Sequence, residues 1–397
     1  MRRAVALLLL LPLLTGCWSR RELNDLALVV SVGIDLVEPA VYEVTLGVAG
    51  PGAAGSGAAG AGGGQQGGER QPVKIVVTER GRSFAGILRA VELRLPRRIN
   101  LTHALWVVVG ERLAEHGIGD SLDFILRAPE FRLQGMIMMI RGRSVRELLE
   151  AHPLMEALES KALTEIAQAR IGLEMRLWEF FSARATEYRA AMLPIVELVD
   201  TPDAGPIGQR YVAKLGGAAI MREDRVVLYL DAQEVRAIKW LRGHGREGVI
   251  TVPCGEEPGA QDISFRITRA SVRTRTAVKG NRPHFDLILQ GRLRVSEMQC
   301  PRPLTDQQVQ AELVARAEQE LQDLVMQVIR KLQEAEVDPL FFGERIRALY
   351  PGVWRQVGGK NWGKTWRESP VHLTVDLRLD TTGLMSDPLR AKSGPEG

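Results

Sequence analysis

An unbroken apolar run, Ala4 to Leu14, stands between Arg2-Arg3 and the tetrapeptide Leu14-Thr15-Gly16-Cys17. As a helix it would extend only ~16 Å at ~1.5 Å per residue, whereas a bilayer core takes ~20 residues. It therefore reads as the core of an export signal and not as a span, and the rest of the chain must fold in water. Thr15 and Gly16 are small enough for a peptidase to reach the backbone, and Cys17 is a soft nucleophile that can take an acyl chain. This spacing assigns residues 1–16 to a lipoprotein signal peptide and makes Cys17 the lipidated start of the mature chain. Each buried methylene adds ~0.8 kcal/mol and one acyl chain holds only marginally, so stable anchoring calls for two. Trp18, Arg20 and Arg21 come next. They suit a headgroup layer, and equally the opening of a plain tether.

The chain behind that segment is long enough for two or three domains. Its 45% hydrophobic and 25% charged residues are globular proportions, and no second apolar run reaches membrane length. The formal charge of +4 includes Arg2 and Arg3 and falls to about +2 without them, too little to argue for nucleic acid. Besides Cys17 there are Cys254 and Cys300, with 45 residues between them, on the oxidising side of a membrane. A disulfide and two buried thiols both fit that spacing, and two thiols are the expectation.

Leu26–Leu36 and Val41–Val48 read as strands. From Gly50 to Gly68 ten of nineteen residues are glycine, so this loop cannot bury enough surface to offset its backbone entropy. It is expected to be disordered, with a reach of ~25 Å, bracketed by a strand at Val73–Val77. Ser83 caps a helix towards Leu95, with Ile87, Val91 and Leu95 on one stripe. Leu105–Val109 and Met136–Ile140 are short buried strands, with helices near Glu111–His116 and Gly119–Leu126 between them. Ser144 caps a further helix, and Met155–Tyr188 is helical in pattern. Asp200–Pro206 carries two prolines and reads as a linker. A hairpin at Tyr211–Met221 and Val226–Leu230, a helix capped by Asp231 and a strand at Gly248–Val252 then make a small β-β-α-β unit.

Ile263, Phe265 and Ile267 alternate, after which Ala270 and Val272 change phase, which predicts a β-bulge near Thr268. Phe285 to Val295 alternates cleanly. Thr305 and Gln308 are placed to form a capping box for a helix at 305–336, striped by Val309, Leu313, Leu321, Leu324, Val328 and Leu332. Val371 to Leu379 alternates as a half-exposed strand. The class is α+β, mostly antiparallel sheets with helices packed on one face. The expected division is an N-terminal domain at 17–205, a small middle domain at 206–260, a C-terminal domain at 261–390 and a disordered tail at 391–397.

Chemistry-bearing patterns are few. Gly358 to Thr365 formally matches a P-loop, but such a loop leaves a buried strand and opens a helix. Here a helical stretch precedes it and Pro370 closes behind it, so it reads as a basic loop. Gly81-Arg82-Ser83-Phe84-Ala85 resembles a nucleophile elbow without its last glycine, and capping alone explains Ser83. His103, His116, His152, His244, His284 and His372 are scattered, with no i,i+4 pair and no acidic partner at ligand spacing. No carboxylate pair stands out. The residues give no support for an enzyme, a cofactor or a metal.

Several segments together resemble the Ger(x)C family, the lipoprotein C subunits of bacterial spore germinant receptors. Cys17-Trp18-Ser19-Arg20-Arg21-Glu22-Leu23-Asn24-Asp25-Leu26 is similar to the family's opening, apart from Ser19 where an acidic residue is usual. Leu95-Pro96-Arg97-Arg98 with His103 and Gly110 resembles its first core motif. Gly217-Ala218-Ala219-Ile220 through Leu241 to Gly248-Val249-Ile250 resembles its middle segment. Asp338-Pro339 to Tyr350-Pro351, then Trp354, Trp362 and Trp366, with Thr382-Gly383-Leu384 and Asp387-Pro388, resembles its closing pattern. The resemblance implies a non-enzymatic subunit lipid-anchored to the outer face of the inner spore membrane. It also implies three α+β domains and assembly with a polytopic A subunit and a transporter-like B subunit, the expected germinant binder. Only Cys17 inherits a defined chemical role. The competing expectation is a lipid-anchored solute-binding protein of a transporter, which would show two lobes of repeated β-α units and a hinge. A cell-wall hydrolase lacks any acid/base constellation.

Overall fold

The computed structural model of the chain describes residues 25–50, 74–128, 130–151, 163–165, 167, 172–200, 211–243, 245, 248–255, 257, 261–299 and 304–381. Cys17 and the expected signal segment, most of the Gly-rich run, most of the expected linker at Asp200–Pro206 and the expected tail at 391–397 lie outside them. So do His152, His244 and Cys300.

Strand β1 (Leu26–Glu38) pairs antiparallel with β2 (Val41–Ala49), and β2 with β3 (Lys74–Gly81). Helix α1 (Phe84–Glu92) starts where Ser83 Oγ accepts from Gly86 N at 3.1 Å, and it buries Phe84, Ile87 and Val91. The short β4 (Arg98–Asn100) runs parallel beside the start of β1. Next come β5 (Trp106–Gly110), α2 (Glu111–His116), α3 (Gly119–Arg127), β6 (Met136–Ile140), α4 (Val145–Glu150), α5 (Leu177–Arg184) and β7 (Met192–Asp200). β5, β6 and β7 lie parallel, joined by helical crossovers. Every residue of β5 and β6 is buried. Val107, Val109, Ile137 and Met139 feed one core, while Trp106, Val108, Met136 and Met138 feed a second on the opposite face. Strands covered on both faces read as continuous apolar runs, and that is how these two appear in the sequence.

β8 (Tyr211–Arg222) and β9 (Arg225–Leu230) complete a nine-stranded sheet ordered β3-β2-β1-β5-β6-β7-β8-β9, with β4 beside β1. Asp231 caps α6 (Ala232–Leu241) in a full capping box with Glu234. A second sheet, β10-β11-β12-β13, is built from β10 (Gly248–Pro253), β11 (Asp262–Lys279), β12 (Arg282–Met298) and β13 (Val371–Thr381). Helix α7 (Gln307–Glu334) covers its inner face with Val309, Leu313, Ala317, Leu321, Val325, Val328, Ile329 and Leu332. Helices α8 (Phe342–Leu349), α9 (Pro351–Val357) and α10 (Trp362–Glu368) lead into β13.

The α+β class stands, and the register shift between Ile267 and Arg269 is the bulge expected near Thr268. Six strand pairings among the described residues are antiparallel and five parallel, so both sheets are mixed. Segment 206–260 forms no sheet of its own, because β8 and β9 extend the first sheet and β10 opens the second. The helix read for Met155–Tyr188 does not run through: Leu173–Met175 is non-helical, and Arg176 bridges to Met136 before α5 begins. Asp306, not Thr305, caps α7, accepting from Gln308 N at 2.8 Å. Cys254 is buried and disulfide-bonded, so the expectation of two free thiols fails.

Candidate functional site

The loop from Ala335 to Phe341, between α7 and α8, ties the two sheets together. Glu336 and Phe341 hold φ of +53° and +64°, a left-handed conformation that costs of order 1–3 kcal/mol for residues other than glycine. Glu336 follows the C-cap of α7, where Val337 N turns back to Leu332 O at 3.0 Å. Phe341 lies within the turn organised by Asp338, only 3% exposed. Its carboxylate accepts from Gly343 N at 2.7 Å, Trp362 Nε1 at 3.0 Å and Leu340 N at 3.1 Å. Burial nevertheless outweighs these bonds and pushes the Asp338 carboxyl up to about 6.

The loop backbone is gripped by the segment before β7, the end of β8 and the C-cap of α6. Ala190 N donates to Asp338 O at 3.2 Å, Arg242 Nε to Pro339 O at 2.8 Å, and Arg222 Nη2 to Ala335 O. The guanidinia of Arg189 and Arg242 stack on the Phe341 ring at 4.9 and 4.6 Å, and Arg189 also pairs with Glu344. Burial lowers Arg242 to about 10, with the Asp338 charge acting in the opposite direction, so it stays cationic at neutral pH. On the other side Trp362 packs on Trp354 at 5.5 Å, and Trp366 on Phe342 at 5.0 Å and Phe285 at 6.0 Å. A Cβ on Gly343 would fall 2.8 Å from the Trp362 ring, which is why glycine stands there.

Beside this joint lies a cleft of about 910 Å³, with Trp178, Lys239, Arg242, Val272, Leu287 and Phe341 among its walls. Its described lining holds neither histidine nor cysteine, and Lys239 Nζ is engaged by Gly172 O at 2.7 Å. The arrangement can fix one part of the chain against another. It does not pair a nucleophile with a base.

A second, partly buried carboxylate does similar work in the first sheet. Asp35 Oδ2 accepts from Val145 N, at the start of α4, at 2.9 Å. Desolvation raises this carboxyl to about 6. Its other oxygen occupies the space where a Gly110 Cβ would stand, 1.6 Å away. Gly217, similarly, faces Leu230 O at 2.5 Å from its missing Cβ.

Cys17 lies outside the described residues. Ser83 is a helix cap, as expected. The Gly358–Thr365 segment is not the loop expected, since Gly359–Asn361 is a 3-10 turn and α10 starts at Trp362, buried with Trp366. Thr365 Oγ1 donates to Val357 O at 3.0 Å and Asn361 O at 3.2 Å, so its hydroxyl serves the turn. His103, His116 and His372 are exposed, and the described residues contain no group of three metal-ligating side chains. Sequence reasoning singled out Asp338, Trp354, Trp362 and Trp366, which meet at the joint. It missed Arg189, Arg242 and Phe341, because an arginine stacked on a ring leaves no spacing signature.

Residues 19–198 match the family described as spore germination protein N-terminal domain, and residues 216–383 the family described as spore germination B3/GerAC like, C-terminal. Spore germination protein KC of Bacillus subtilis (strain 168) is 23% identical over 403 residues, covering 98% of this chain and 97% of that protein. Spore germination protein YndF of the same organism is 27% identical over 411 residues, covering 96% of each. Among solved structures, the crystal structure of the GerBC protein has a TM-score of 0.51 at 18% identity, covering 88% of this chain and 97% of that one, a likeness of fold. With both family domains present in order along nearly its whole length, the chain belongs to the Ger(x)C family of spore germination proteins.

Proposed function

We propose that this chain is the C subunit of a spore germinant receptor. Acyl chains on Cys17 hold it to the outer face of the inner spore membrane, where it assembles with polytopic A and B subunits. It positions and stabilises its partners without a catalytic step. The observation that carries this reading is the succession of two spore germination domains over 19–198 and 216–383. Among the described residues no helix is long and apolar enough to cross a membrane, in keeping with attachment through the N-terminus. The two sheets differ in strand number and order, which disfavours the paired lobes of a solute-binding protein.

The test is a Cys17→Ala variant in spores, followed by membrane fractionation and a germination assay. Loss of membrane retention together with loss of the germinant response is the expected result. Normal retention with a normal response would overturn the reading. A thermal shift of the purified body by a small solute would point to the transporter alternative.

A further inference from the structure

The outer face of the second sheet carries an arginine cluster that the joint does not account for. In β11 and β12 the register places Arg266 opposite Arg294 and Arg269 opposite Arg292, and Arg292 in turn faces Arg378 on β13. Arg273 and Arg275 continue the row along β11, and all seven side chains are exposed. Like charges directly opposite in a sheet destabilise it. Within the cluster, the described ion pairs are Arg292 with Asp380 at 2.9 Å and Arg378 with Asp376 at 3.6 Å. Arg266, Arg269, Arg273, Arg275 and Arg294 make no ion pair among the described residues.

Protecting an open sheet edge explains only part of the row: β10 pairs with β11 from Asp262 to Ile267 and leaves Arg269, Arg273 and Arg275 on an unpaired edge, but Arg266, Arg292 and Arg294 stand between paired strands. General solubility does not either, because the whole chain carries only +4 while this one face concentrates seven arginines. Asp380, Asp376 and Asp286, the last opposite Arg275, offset part of this charge; Arg266, Arg269 and Arg294 face arginine and Arg273 faces Ile288, a cost that an external anion would offset.

We propose that this face docks on the anionic phospholipid headgroups of a membrane and so orients the body against it. Three features select a lipid surface as the occupant. From Arg266 to Arg275 the row extends ~30 Å at ~3.3 Å per residue, longer than any single small phosphate ligand. Arginine meets phosphate in a planar, bidentate geometry. The face also lacks the aromatic or aliphatic centre that anchors protein partners; Val249, across from Arg266 on β10, is its one exposed large apolar side chain among the described residues. The physiological role rests on the membrane attachment proposed above, but the test does not.

The chain from residue 17 with Cys17→Ser retains every described element and carries no lipid. Its sedimentation is measured with vesicles of phosphatidylcholine alone and of an equimolar mixture with phosphatidylglycerol. Both are run at about 10 mM and about 1 M salt, where screening lengths are ~30 Å and ~3 Å. Binding is expected only to the anionic vesicles and only at low salt. In the variant R269Q/R273Q/R294Q it should fall by at least about tenfold, with the melting temperature unchanged or raised. Equal binding to both compositions, undiminished binding by the variant, or capture by immobilised poly-glutamate with none by vesicles would overturn the proposal. A failure of lipidation itself would appear separately, as an unmodified Cys17 in the mass of the natural protein.

Discussion

Trp362 Nε1 donates to Asp338 Oδ2 at 3.0 Å inside a joint that water does not reach, since both residues are at most 3% exposed. The bond links α10 to the loop that Arg242, at the end of α6, and Ala190, just before β7, also hold. Asp338→Ala would leave Trp362 Nε1 and Gly343 N buried and unpaired. The expected cost is about 3 kcal/mol, at ~1–3 kcal/mol per orphaned donor, read as a lowered urea midpoint. Asp338→Asn keeps an accepting oxygen and should cost clearly less. Equal, small effects from both variants would mean that the carboxylate does not hold the joint.

Asp35 and Asp338 both keep their protons up to about 6, chiefly because burial disfavours the charged form. An unfolded aspartate releases its proton near ~3.9. Between those values the fold holds protons that the unfolded chain has lost, so stability falls as pH rises from about 4 and levels off above about 6. A shift of this size amounts to about 3 kcal/mol for the fully buried Asp338, and less for the partly exposed Asp35. Urea unfolding across that window should show a shallower pH slope in Asp338→Asn than in the natural chain. An identical slope in the two would place the titration elsewhere.

The same joint shows what sequence can and cannot carry. The α7 stripe, the Thr268 bulge and the Ser83, Ser144 and Asp231 caps follow from spacing and short-range hydrogen bonding, and all were legible. β7 was not, because Met192 to Val196 is a short apolar run whose parallel partner, β6, lies more than fifty residues away. The left-handed turns at Glu336 and Phe341 carry no glycine to announce them. Asp338 and the tryptophans stood out as a pattern, but only the folded contacts say that they form a joint. The arginine face went unread because its like-charged pairs exist only once the register of β11, β12 and β13 is known.

Gly110 ends β5 with the Asp35 carboxylate pressed against it. Gly110→Ala would set a methyl 1.6 Å from Asp35 Oδ1 and displace the acceptor of the Val145 N–H. Overpacking at a rigid site costs ~1–3 kcal/mol, and losing the bond at the start of α4 adds to it. The expected melting temperature is several degrees lower, and in the double variant with Asp35→Ala the steric part should be relieved. If the two losses simply add, the clash is not their link.

Ala49, at the end of β2, pairs directly with Lys74, at the start of β3. The connection between them thus leaves and re-enters the sheet at one place and has no distance to span. Removing Gly52 to Gly67 shortens the closed loop about threefold, and loop-closure entropy at (3/2)RT ln n then favours the folded state by about 1 kcal/mol. The shortened chain should melt at the same temperature or slightly higher, and in spores it should still support germination. A fall of several degrees would show that the glycine-rich stretch packs on the edge strand β3 and contributes to the fold.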